Sequence, residues 1–201
     1  GFAWLSRSTI GSGASLLMYS IQKLRQDQWA AVPTDPGIYW WYFPESCLTD
    51  FRITEHCDVS KFILRRTKNG KYCLYHGCAS SLRQRVKWHS SQKLRVSALK
   101  SGWLSTFRFT LLALIDLDYS SEEDALNHFM DRLKISWQTF NSKSEAKLAE
   151  TAELRGKYHY PLNIQENRRV ELAKFTKHLK SARKKYKQFH LLWRFHYLIT
   201  F

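Results

Sequence analysis

The sequence predicts an α+β domain: a small, mainly antiparallel three-stranded sheet flanked by helices, with an insertion after the first strand and a basic helix at the C-terminal end. Three observations carry this. Two short segments, Ile38–Phe43 (IYWWYF) and Lys71–His76 (KYCLYH), are dense in aromatic and β-branched residues and follow turn signals. Segments with helical spacing of apolar residues alternate with them. Eight Trp, ten Tyr and twelve Phe in 201 residues are enough to fill a core without disulfides.

Residues 1–32 read as an N-terminal extension that ends in a helix. Its Ser- and Gly-rich start, with Asp27 as the first acidic residue, has the character of a leader, and Met18 is a candidate natural start. From Met18 to Ala31 the apolar Ile21, Leu24 and Trp29 predict a short helix ahead of Pro33. Pro36-Gly37 then introduces the first strand. Residues 44–69 form the insertion, with a further strand at Lys61–Arg66 and an Asn69-Gly70 turn, a strong hairpin signal, that feeds Lys71–His76. Gly77 closes that strand. Ser80-Ser81 caps a helix through Leu82, Val86 and Trp88, and Gln92–Lys100 gives another. Phe107–Leu117 (FRFTLLALIDL), the most hydrophobic run, reads as a central strand. Ser120-Ser121 and the acidic Glu122–Asp124 suit a helix start, with Ala125, Leu126, Phe129 and Leu133 on one face. Glu145–Arg155 is helical and ends by Gly156 and Pro161. The domain so bounded spans 33–165. Residues 166–201 follow as a basic tail in which Leu172, Phe175, Leu179 and Tyr186 alternate with Lys and Arg, the pattern of a basic amphipathic helix over Glu166–Lys187.

Thirty-two Lys and Arg against seventeen Asp and Glu leave a formal charge of +15, which calls for a polyanionic partner. Nucleic acid is the commonest, because each cation near a phosphate releases counterions. Residues 164–201 alone hold ten Lys and Arg and two Glu, and contact there with a DNA backbone would position without reading bases. The 44–69 insertion and the 120–141 helix are candidates for base reading. Cys47, Cys57, Cys73 and Cys78 contain no C-x-x-C half-site for zinc and read as reduced, mostly buried thiols. No apolar run reaches the roughly eighteen residues of a membrane span, and the expected location is cytoplasmic.

Three motifs carry chemistry: PGIYWW at Pro36–Trp41, LYHGCASSLRQRV at Leu74–Val86, and AETAELRGKYHYPLNIQ at Ala149–Gln165. A lone Tyr in an aromatic strand is usually core, and a lone Arg on a helix is usually solvated. In this order, over about Asp35–Gln165, the motifs resemble the GIY-YIG nuclease family, in particular its restriction-endonuclease-like members. The resemblance implies that Tyr39 and Tyr75 come from neighbouring strands to one side. It makes Arg85, ten residues beyond Tyr75 in a Y-x-G…L-R-x-R run, the catalytic arginine rather than Arg83. His89 shares a helical face with Arg85 and stands where some restriction enzymes of the family carry a histidine. A metal-binding glutamate one helix ahead of a terminal asparagine is matched by Glu150 and Asn163, with Asp131 and Asn141 as a competing register. His76 departs from the family pattern, which has an aliphatic residue there, and the connection between the first two motifs is unusually long.

The implied activity is Mg2+-dependent hydrolysis of double-stranded DNA, with Mn2+ as a substitute ion. Such hydrolysis needs an activated water, a countercharge for the expanding phosphate and help for the leaving oxygen. Glu150 would be the one protein carboxylate on the ion, and Arg85 would hold the phosphate with its bidentate fork. Tyr39 or Tyr75 would take the water's proton, which demands a phenol pKa well below about 10. His89 is an alternative acceptor or a hydrogen-bond partner, and Asn163 would position backbone or phosphate. A type II restriction endonuclease comes first, from the compact chain and the Arg85/His89 spacing, ahead of a homing, phage-type or repair nuclease. Cutting both strands with one centre per chain implies a homodimer or two successive nicks. A catalytically silent nucleic-acid-binding protein is the reading from another class.

Overall fold

The segment GIYWWYF builds strand β2 (Gly37–Phe43), and all seven of its residues are buried. Aromatic and β-branched side chains suit a pleated surface covered on both sides, and successive residues point to opposite faces. Tyr39, Trp41 and Phe43 therefore enter the main core with Leu74, Leu82, Val86 and Phe107. Ile38, Trp40 and Tyr42 enter a smaller cluster with Cys73, Ala146 and Tyr160. β2 lies between β3 (Tyr72–Ala79) and β4 (Lys134–Thr139), while β1 (Tyr19–Ser20) pairs with β4; the sheet is antiparallel throughout, in the order β1-β4-β2-β3. This computed structural model describes residues 17–115, 122–165 and 169–197. The expected leader in 1–16, the Ser120-Ser121 cap and the last residues of the tail lie outside them.

Helices α1 (Ile21–Gln26), α2 (Cys47–Asp50), α3 (Ile53–His56), α4 (Leu82–Ser91), α5 (Val96–Ser101), α6 (Thr106–Leu114), α7 (Glu122–Asp131), α8 (Lys143–Arg155) and α9 (Ala173–Tyr197) surround the sheet. α4, α6 and α7 supply the main core, and α8 covers the smaller cluster.

The α+β class and the antiparallel sheet agree with expectation, but the third strand does not. Phe107–Leu117 is not a central strand, because residues 106–114 form α6. An apolar run alone does not separate a buried strand from a buried helix. What decides is local: the Ser105 hydroxyl caps the helix by accepting the Arg108 N–H at 3.2 Å. Protein also lies on most sides of α6, so Phe107, Arg108, Thr110, Leu111 and Leu112 are all buried. The strand that flanks β2 is instead β4 (KISWQT), where Ile135 and Trp137 alternate with polar residues.

Lys61–Arg66 is not a strand either. Residues 59–61 form a 3-10 turn, and only Arg66 bridges to Tyr72. The Asn69-Gly70 signal marks the turn between those two residues: Thr67 N–H donates to Lys71 O at 2.8 Å, and Gly70 has φ +74°.

The C-terminal helix begins at Ala173, later than Glu166, and is built into the core. Leu172, Phe175 and Leu179 are fully buried. Tyr186 packs on Phe109 of α6 at 5.9 Å between ring centres and donates to Glu122 at 2.9 Å. Lys174, Lys177, Lys180 and Lys184 are exposed at helical spacing away from that apolar stripe. No helix among the described residues is long and apolar enough to cross a membrane. The four cysteines are free, three buried and Cys78 partly so.

Candidate active site

A bulge in the β2–β3 pairing aims the second tyrosine. Phe43 faces Tyr72 and Tyr42 faces Cys73, but Trp41 faces Tyr75, so Leu74 is the extra residue. In an unbroken register Tyr75 would stand opposite Trp40 and point to the smaller cluster. With the bulge it joins Trp41 and Tyr39, and the Tyr39 and Tyr75 rings lie 6.4 Å apart. Gly77 faces Tyr39 across the strands. A Cβ there would sit 2.5 Å from Tyr39 Oη and 2.7 Å from Cζ. β3 continues to Ala79, so Gly77 does not close the strand as expected; its hydrogen is what lets the Tyr39 ring cross β3. Gly37 has a similar reason: a Cβ would come within 2.5 Å of Gln138 O and of Leu82 in α4.

Ser81 caps α4 by accepting the Gln84 N–H. Leu82, Val86 and His89 then face the core, and Arg85, one turn ahead of His89, faces the tyrosines. His89 Nε2 lies 2.9 Å from Tyr39 Oη, and its Nδ1 lies 2.6 Å from Ser105 Oγ. Burial, then the cations Arg85 and Arg108, hold the His89 pKa well below 6.5, so the ring is neutral. The C-terminal carbonyls of α4 are held by arginines: Ser90 O accepts from Arg108 at 2.8 Å and from Arg25 at 3.1 Å. Arg108 is fully buried, and burial lowers its pKa to about 10, which leaves it charged at neutral pH.

Burial, reinforced by Tyr75, pushes the Tyr39 phenol well above 10, and burial pushes Tyr75 up to about 12. Arg85 opposes the shift in both cases without overcoming it. Neither phenol has the depressed pKa that a free general base requires.

α8 opens with reciprocal caps: Ser142 accepts from Glu145 N–H at 3.1 Å, and Glu145 accepts from Asn141 N–H at 3.2 Å. Two turns on, Glu150 Oε2 receives Lys147 Nζ at 2.7 Å and the Cys78 thiol at 3.1 Å. Glu153 faces elsewhere. It pairs with Arg65 at 2.7 Å and accepts from Tyr160. Burial would raise its pKa, but Tyr160 and Arg65 hold it below the usual carboxylate range. The competing Asp131 is bound to Arg25 at 3.0 Å on α7; neither it nor Asn141 lines the cavity that holds the tyrosines. Asn163 sits on the outer edge of β3, where its Oδ1 accepts the His76 N–H at 3.0 Å and its Nδ2 donates to the His76 carbonyl at 2.8 Å. His76 points into the smaller cluster, with Nδ1 on the Tyr39 carbonyl at 3.0 Å.

Tyr39, Tyr75, Arg85, His89, Glu150 and Asn163 line one cavity of about 220 Å3. Sequence reasoning missed Lys147, Thr106 and Thr110 in the same lining and Ser105 behind His89. Lys147 was findable, being three residues before Glu150 on a helix; Ser105 and the threonines were hidden by reading α6 as a strand. Among the described residues no three His, Cys, Asp or Glu side chains converge to hold a metal. Glu150 is, among the described residues, the one carboxylate in the cavity lining. That donor suits a hard divalent ion whose remaining ligands are water and phosphate oxygens.

A family model described as the GIY-YIG catalytic domain matches residues 37–185, more than half of the chain. No curated protein matches the chain. No solved structure matches it. The matched span runs from the first strand of the tyrosine pair through the glutamate helix into α9, and the chain belongs to the GIY-YIG catalytic domain family, a family of nucleases.

Proposed function

We propose that the chain is a Mg2+-dependent endonuclease of double-stranded DNA, with Mn2+ able to substitute, and that it acts as a type II restriction enzyme. The observation that supports this reading is the convergence of Tyr39, Tyr75, Arg85, His89, Glu150 and Asn163, from sites as far apart in sequence as β2 and the segment after α8, on one cavity.

In the mechanism we infer, Glu150 would hold the ion, which would supply Lewis-acid polarisation of the phosphate when bound. Arg85 donates its fork to the scissile phosphate and stabilises the added charge of the transition state. With phenol pKa values raised, the base is a relay rather than a phenolate. His89 donates Nδ1–H to Ser105 Oγ and accepts the Tyr39 hydroxyl proton at Nε2. Tyr39 Oη takes the attacking water's proton as it passes its own to His89, and the leaving 3′ oxygen is protonated by solvent water. Asn163 acts on position, holding β3 at His76, beside Tyr75 and Gly77. The exposed lysine row of α9 contacts the DNA backbone, and a homodimer supplies two centres for two strands.

Incubating supercoiled plasmid with the intact chain tests the reading. Nicking is expected with Mg2+ and absent in EDTA; no metal-dependent nicking would defeat it, leaving a nucleic-acid-binding protein. Glu150→Ala should abolish cutting, and His89→Ala should slow it by about 10²–10⁴-fold. Discrete fragments from a sequenced plasmid would support the restriction subtype, and a smear would sink it.

A further inference from the structure

A second cavity, of about 300 Å3, adjoins the first. Trp88, Trp103, Gln84, Ser80, Ser81 and Arg85 line it, and Arg85 and Trp88 line both cavities. Trp103 is 76% exposed, an unfavourable place for so large an apolar surface. Its backbone is nonetheless pinned. α5 ends at Gly102 with φ +76°, the Gln92 side-chain amide donates to Trp103 O at 2.8 Å, and the Gln92 carbonyl accepts the Ser105 N–H at 2.6 Å. On the other wall the Arg85 guanidinium covers the Trp88 ring at 4.9 Å. Among the described residues none in the lining is acidic.

We propose that this cleft takes one unstacked nucleobase of the DNA strand next to the phosphate held by Arg85. Aromatic faces accept any base by stacking. Gln84, Ser80 and Ser81 offer hydrogen-bonding groups to a base edge. The volume is at the small end of ligand sites and suits a single base rather than a duplex. Arg85, shared between the cavities, places a cation where the backbone must pass from one to the other. The proposal rests on the nuclease reading for the identity of the phosphate in the first cavity.

The test is binding to the full-length chain in EDTA, so that cleavage plays no part. The probes are a fluorescein-labelled thymidine oligonucleotide and an abasic oligomer of the same length and charge, compared by anisotropy. The wild-type chain should prefer the thymidine probe by about tenfold, the scale of one stacked base. Trp103→Ala should remove that preference while leaving abasic binding and the melting temperature unchanged, and Trp103→Phe should retain most of it. Equal preference in Trp103→Ala, or none in the wild type, would overturn the proposal. So would a change in sedimentation of Trp103→Ala without DNA, which would mark Trp103 as a contact between protein copies. Failure of the plasmid assay with the preference intact would defeat the nuclease reading and leave the base cleft standing.

Discussion

Gly77→Ala is the sharpest single test of how the tyrosine pair is built. The added methyl would begin 2.5 Å from Tyr39 Oη and 2.7 Å from Cζ, whereas carbon and oxygen rest at roughly 3.4–4 Å. Backbone pairing to Tyr39 itself fixes Gly77, so the ring must yield by about 1 Å. The Tyr39–His89 contact of 2.9 Å would then stretch to nearly 4 Å, beyond any hydrogen bond. Two effects follow, of different sizes. Overpacking one methyl in a tight core costs about 1–3 kcal/mol, which urea unfolding should read while the chain remains folded. Moving a reacting group by about 1 Å costs on the order of 10²-fold in rate, which the nicking assay should read at a temperature where the variant remains folded. A variant that is as stable as the wild type and cuts as fast would refute the account, because it would mean that Tyr39 does not need to lie across β3.

Three further outcomes are expected. Glu153→Gln should destabilise by roughly 1–3 kcal/mol, since it leaves the Arg65 guanidinium without its charge partner in a mostly buried site; because the folded Glu153 pKa is depressed, its stabilisation is full above the unfolded value of about 4.3 and is lost as pH falls through the lower folded value, so urea curves for variant and wild type should converge once the pH is below it. His76 has a folded pKa of about 4 against 6.5. Below pH 6.5 the unfolded chain therefore takes up a proton that the fold refuses, and about 3 kcal/mol of stability should disappear between pH 7 and pH 4. His76→Leu should flatten that acid slope, and an unchanged slope would reject the neutral-ring assignment. Replacing Lys174, Lys177, Lys180 and Lys184 by Gln should weaken DNA binding across unrelated sequences and reduce the salt slope by about 3, whereas unaltered affinity would remove α9 from the DNA interface.

The legible parts of the sequence were those where one residue type answers one local demand. The IYWWYF strand, the Asn69-Gly70 turn and the Ser81 cap all follow from backbone chemistry. Arg85, His89, Glu150 and Asn163 were picked by their resemblance to the family's motifs, and they reach one cavity because the helix repeat carries i to i+4 and the sheet pairing brings β2 to β3. What stayed hidden depended on tertiary surroundings. α6 has a strand's composition and becomes a helix because Ser105 caps it and neighbours bury it nearly all round. β4 carries too few apolar residues to announce itself beside the α7 helix. The direction of the phenol pKa shifts depended on burial, which no motif reports. The basic tail was read by its charge, yet Leu172, Phe175 and Leu179 tie it into the core; deleting it would probe folding, whereas the lysine substitutions probe binding.

The chemistry of the centre turns on where a proton can go. A Tyr75 phenolate at pH 7, against a pKa of about 12, lies about 7 kcal/mol uphill, and Tyr39 is shifted in the same direction. That is as large as a substantial catalytic barrier, so a mechanism that first ionises a tyrosine begins at a great disadvantage. Neutral His89 offers an acceptor 2.9 Å away, but burial first, and then Arg85 and Arg108, disfavour its protonated form. The second obstacle has a remedy in the proposed reaction. A DNA phosphate brought to Arg85 adds negative charge beside the same three groups, which offsets the guanidinium that opposes an imidazolium. In the proposed reaction the free chain keeps its protons in place, and the substrate's own charge helps to complete the base. On this argument, thiols or phenols should not be unusually reactive in the free protein, and slow modification of Tyr39 and Tyr75 by a phenol-directed reagent at neutral pH is the expected result. Rapid modification of either would show that an ionised phenol is already present and that the relay through His89 is unnecessary.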